Sequence, residues 1–78
     1  MKISKAKLDQ QVKSLNKLVG VEVREGSPVI GQYILVSAYG GHALHRVSPR
    51  GGEVDIFRLG YIPKAELYNL ISGYKDGF

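Results

Sequence analysis

"QYILVSAYGGHALHRVSPRGGEVDIFRL", residues 32–59, is the stretch whose reading decides the fold. It opens on β-branched and aromatic residues, breaks at Gly40-Gly41, resumes with "HALHRVS", breaks again at "PRGG" and closes on "EVDIFRL". Extended runs between turn clusters of this kind are strands. Two glycines accept φ > 0 at both central positions of a type I′ turn without steric cost, so the first hairpin is expected to turn at Gly40-Gly41. A second hairpin follows at the "PRGG" break, and the three runs form an antiparallel meander.

Helical signals flank this meander on both sides. Leu8, Val12, Leu15 and Val19 recur at i, i+4, i+7 and i+11, an apolar stripe of period 3.6. With Ser4 as N-cap and Gly20 just past the end, the first helix is expected over about residues 5–18. After the meander, "GYIPKAELYNLISGY" at 60–74 reads as a turn, a Pro at the first helical position and a helix carrying Leu67, Leu70, Ile71 and Tyr74 on one side. A fourth, short strand is expected at "VEVR", residues 21–24, before the "EGSP" turn cluster. The chain thus reads as one α+β domain over residues 1–78: N-terminal helix, three- or four-stranded antiparallel meander, C-terminal helix, both helices on one face of the sheet.

Register sorts side chains between the two faces of a sheet. A turn at Gly40-Gly41 sets Tyr39 opposite His42, Ser37 opposite Leu44 and Leu35 opposite Arg46; with Tyr33 these make face A. A two- or four-residue second loop adds Asp55, Phe57 and Leu59 to face A and places Val54, Ile56 and Arg58 on face B, beside Ile34, Val36, Ala38, Ala43, His45 and Val47. Face B is aliphatic, and its two alanines let helices lie close, so it is expected to be the core. Face A, with its tyrosines, Phe57 and Arg46, is expected to be the working surface, because aromatic and arginine side chains supply most binding energy at protein interfaces.

Composition narrows the possibilities further. A chain of 78 residues buries only about 60% of the surface its unfolded form exposes, so its stability margin is thin. Without cysteine it has neither disulfides nor thiolate zinc sites, which makes self-association one available remedy and fits a reducing compartment. No apolar run of eighteen residues occurs, so no membrane span is expected, and the start of the chain lacks a signal-peptide pattern. The net charge of +4 lies entirely in residues 1–24, where six basic residues face two acids; the remaining residues carry five of each. A basic helix either attracts polyanions or simply solubilises the protein.

Chemical motifs are scarce. The glycine pairs fit neither a P-loop nor a dinucleotide fingerprint, since no Lys-Ser/Thr and no Gly-x-Gly-x-x-Gly follows a strand. His42 and His45, three apart on a strand, point to opposite faces and cannot close on one metal ion. Ser37, His42 and Asp55 share face A in the expected register and have the right names for a triad, but a sheet this thin offers no oxyanion hole or cleft. Neither an enzyme, a metal nor a cofactor is therefore expected.

The runs "SLNKLVG" at 14–20, "YGGHALHRV" at 39–47 and "GYIPKAELYNLISGY" at 60–74 resemble a group of short proteins of uncharacterised function encoded by tailed bacteriophages and prophages. The second hairpin, "SPRGGEV", departs from that group's longer glycine run. The resemblance implies an accessory protein of the infected host's bacterial cytoplasm that binds and blocks a host macromolecule or sequesters a defence signal. The partner is then a host protein or a small anionic signal, with a homo-oligomer as a further option. The expected contact residues are Tyr33, Tyr39, His42, Arg46, Arg50 and Phe57. The alternative is a nucleic-acid-binding accessory protein that uses Lys5, Lys13 and Lys17 of the first helix.

Overall fold

The computed structural model describes residues 3–22, 26 and 29–77. Helix α1, Lys5–Leu18, begins where the Lys7 N–H donates to Ser4 Oγ (3.2 Å), and it ends before Gly20, whose φ of +77° lies in the left-handed region. Strands β1 (Tyr33–Ala38), β2 (Gly41–Val47) and β3 (Glu53–Asp55) form an antiparallel sheet in the order β1-β2-β3, and helix α2, Lys64–Lys75, closes the chain. The class is α+β, as the sequence indicates. Pro63 stands one position earlier than expected, at the N-cap of α2. Of the strand expected at 21–24, Val21 and Glu22 are not in a strand, and Val23 and Arg24 lie outside the described residues.

Both hairpins turn differently from the sequence reading. The first turns at Tyr39-Gly40, with φ of +52° and +75°, and Ala38 pairs with Gly41. The two-residue loop is displaced by one position, which moves each cross-strand partner by two. Tyr33 now faces Arg46, Leu35 faces Leu44 and Ser37 faces His42, so face membership on β1 and β2 is unchanged. Gly41 is required for a different reason. A Cβ there would lie 2.7 Å from the Tyr61 carbonyl carbon, where the chain returns so that Ile62 can exchange two backbone hydrogen bonds with His42 (2.8 and 2.9 Å). Gly41→Ala is therefore expected to cost about 1–3 kcal/mol through overpacking, and an unchanged melting temperature would rule out this close approach.

The second loop holds five residues, 48–52, because Val47 pairs with Glu53. An odd loop inverts the parity of β3. Val54 stands opposite Arg46 on face A and Asp55 opposite His45 on face B, the reverse of the expected assignment. Ile56, whose N–H donates to the Leu44 carbonyl, follows Val54 onto face A and packs against the core.

The buried face is also reversed. The core unites Leu8, Val12 and Leu15 of α1 with Tyr33 and Leu44 of the sheet and Leu67 and Ile71 of α2; Leu35, Ile56, Phe57 and Tyr74 pack around it. Face A, not face B, lies under the helices. Tyr33, Leu35, Leu44 and Ile56 of face A, with Phe57 packed beside the core just past the end of β3, offer far more apolar area than the alanine-bearing face, and buried apolar area is the main driving force. The polar tips that suggested a free surface are satisfied locally. The Tyr33 and Tyr74 hydroxyls share a hydrogen bond of 2.7 Å, and the Arg46 guanidinium lies 4.7 Å from the Tyr33 ring centroid while its Nε donates to the Gly31 carbonyl (3.0 Å). Burial and the Tyr74 hydrogen bond push the Tyr33 phenol up to about 12, Arg46 opposing them only in part.

A polar clasp outside the core joins the helices. Gln11 Nε2 donates to Ser72 Oγ (2.6 Å), and Lys75 Nζ donates to Gln11 Oε1 and Ser14 Oγ (both 2.9 Å).

Candidate functional site: the outer edge of β1

The hydrogen-bond direction of each β1 residue follows from β2. His42 bonds Ile62 and the Leu44 carbonyl accepts from Ile56, so the even residues of β2 aim their backbone groups toward β3 and the odd ones toward β1. In the observed register Ile34, Val36 and Ala38 answer those odd residues. The N–H and C=O groups of Tyr33, Leu35 and Ser37 then point away from the sheet, along its outer edge.

Tyr33 is the one of these three with an edge partner among the described residues. Asn16, near the end of α1, is 3% exposed; its Oδ1 accepts from the Tyr33 N–H (2.7 Å) and its Nδ2 donates to the Tyr33 carbonyl (2.9 Å). One side-chain amide thus does what a neighbouring strand would do. Beyond it, the outward groups of Leu35 and Ser37 have no backbone or side-chain partner among the described residues. Unpaired edge groups are a template for another strand.

Beside this edge runs a groove of about 620 Å³ between α1 and β1. Val12, Ile34 and Leu35 line it with apolar surface, Asn16 closes it below, and Lys13 and Lys17 stand along its helix side with Asp9. The lysines are exposed. Sequence reasoning found Lys13 and Lys17 but missed Asn16, because an asparagine inside an amphipathic helix gives no signal of what its amide will meet.

The other expected contact residues are dispersed. Tyr33 is 1% exposed and Phe57 packs against the core, so neither offers a ring to a partner. Tyr39 is 94% exposed at the hairpin tip, its ring 5.5 Å from that of Tyr61, in a backbone region that tyrosine rarely adopts. His42 shares a hydrogen bond of 2.7 Å with Ser37 Oγ; burial first, then Lys64 and Lys5, hold its imidazole below the usual histidine range, with Asp9 opposing. Arg46 lies at the other end of β2 from His42, and Arg50 is exposed in the 48–52 loop. Lys5 opens α1, well before the Lys13 and Lys17 pair.

Asp55, moved to face B by the odd loop, stands away from Ser37 and His42, so the three expected on one face do not share it. His45, also on face B, meets Glu53 at 3.1 Å. Among the described residues no helix is long and apolar enough to cross a membrane. Comparison with protein families, with curated proteins and with solved structures finds no match to the chain.

Proposed function

We propose that the chain is a small non-enzymatic binding protein that takes up an extended, acidic segment of another protein along the open edge of β1, and that it thereby blocks a host macromolecule, as its resemblance to phage accessory proteins implies. The observation that carries this reading is the pair of outward backbone positions, Leu35 and Ser37, unpartnered among the described residues, next to a groove flanked by Lys13 and Lys17. Backbone bonds to an added strand supply affinity, and pockets beside the edge select side chains. Here an aliphatic side chain of the partner enters the groove over Val12 and Leu35, and a neighbouring carboxylate meets the lysines.

Charge argues for a foreign partner over a second copy of the chain. Two β1 edges paired about a twofold axis would bring both lysine pairs to one seam, where like charges repel. An acidic segment turns the same lysines into attraction.

A library of random linear peptides panned on the folded protein tests this. Enriched sequences should alternate aliphatic and acidic residues. Binding should disappear in Ser37→Pro, which removes one outward N–H and leaves the β2 ladder intact, and in the doubly substituted Lys13→Glu/Lys17→Glu. Circular dichroism must show both variants folded. Peptides bound equally well by Ser37→Pro would sink the edge reading. Oligonucleotide binding that falls steeply with salt, and that the lysine variant loses while Ser37→Pro keeps, would establish the nucleic-acid alternative instead.

A further inference from the structure

At the end of face A that the helices leave uncovered, a second pocket of about 450 Å³ opens around Arg46. We propose that it binds a monocarboxylate with a short aliphatic tail, the carboxylate held by the Arg46 guanidinium and the tail by the surrounding apolar side chains. This site is separate from the β1 edge.

The argument starts from Arg46 itself. Its Nε is committed to the Gly31 carbonyl and its plane is held over the Tyr33 ring, so the guanidinium is fixed in place before any ligand arrives. Among the described residues its two terminal nitrogens have no acceptor, and none of the described residues that line the pocket is acidic. The five-residue loop put Val54 directly opposite Arg46 on this face, where a four-residue loop would have brought Asp55. An arginine oriented on two sides, with no partner for its outer edge among the described residues, suits a planar anion that accepts two parallel N–H bonds.

The walls define the rest of the ligand. Ile30, Val47, Pro49, Val54 and Ile56 surround the guanidinium, with Ile30 60% and Val54 48% exposed. Exposed aliphatic side chains around a cation suit a ligand with one charged end and one apolar end, and the volume falls within the usual range for small-molecule sites. One guanidinium neutralises one negative charge. A phosphate dianion would lose its hydration in an apolar pocket with half of its charge unmet, so a monocarboxylate is the better match.

Sodium octanoate serves as the probe, titrated into the uniformly ¹⁵N-labelled protein. Saturable shifts are expected at the amides of Gly31, Arg46, Val47 and Val54, with octanol, which has the tail but no carboxylate, at least about tenfold weaker, since a hydrogen bond to a charged group is the stronger kind. Arg46→Gln should weaken octanoate by a similar factor. Because that variant also loses its contacts with Gly31 and Tyr33, Val54→Glu provides an independent check: it leaves Arg46 in place, puts a carboxylate across from it, and should abolish octanoate binding in a protein at least as stable as the parent. Unsaturable shifts spread over the whole surface, equal binding of octanol, tighter binding of inorganic phosphate, or unaltered octanoate binding in Val54→Glu would each overturn the proposal.

Discussion

Leu44→Ala is expected to lower the free energy of unfolding by about 2–5 kcal/mol, the range for emptying a fully enclosed leucine site. Leu44 is 0% exposed, sits in the central strand, and belongs to a core built from both helices and both long strands. Its neighbours cannot collapse into the space without moving the sheet. Val36→Ala, on the opposite face and half-buried, removes two methyl groups from partial contact and should cost about 1 kcal/mol. Urea unfolding followed by circular dichroism measures both. A small domain has a total stability of only about 5 kcal/mol to spare, so the first variant should be largely unfolded under conditions where the second remains native. A larger loss for Val36→Ala than for Leu44→Ala would mean that the helices cover the other face of the sheet.

Asn16→Ala is expected to cost about 2–4 kcal/mol, because it removes two hydrogen bonds at once and leaves the Tyr33 N–H and C=O without partners beside a buried ring. Asn16→Asp should be nearly as damaging. It keeps an acceptor for the Tyr33 N–H but presents a carboxylate oxygen to the Tyr33 carbonyl, and it buries a charge. Hydrogen exchange separates this from a general loss of stability. In the parent the Tyr33 amide should be protected although it points away from the sheet, and the Leu35 and Ser37 amides on the same edge should exchange quickly. In Asn16→Ala the Tyr33 amide should join them. Protection of the Leu35 and Ser37 amides in the parent would contradict the open edge on which the binding proposal rests, and fast exchange of the Tyr33 amide would contradict the Asn16 contact.

Several features of the chain were legible because they depend on local periodicity. The stripe of Leu8, Val12, Leu15 and Val19, together with Ser4, placed α1 at about residues 5–18, where it lies, and the glycine-punctuated runs placed the meander. Period-2 alternation also kept Tyr33, Leu35, Ser37, His42, Leu44 and Arg46 on one face even though the turn moved from Gly40-Gly41 to Tyr39-Gly40, because displacing a two-residue loop by one position preserves parity. The candidate site was legible only in part. Lys13 and Lys17 stood out by charge, but nothing in the sequence announces that Asn16 will fill one part of the β1 edge and leave the next part open.

What the sequence by itself determined is therefore the set of elements, their order and the division of β1 and β2 side chains into two faces, since each follows from spacing along a few residues. Tertiary structure decided which face the helices cover, the odd loop that turned Val54 toward Arg46, and the return of Tyr61 that forbids a side chain at Gly41. Those choices depend on total buried area and on contacts between residues far apart in the chain: Tyr33 and Arg46 look like surface groups until Tyr74 and Gly31 satisfy their polar atoms and release their apolar bodies to the core.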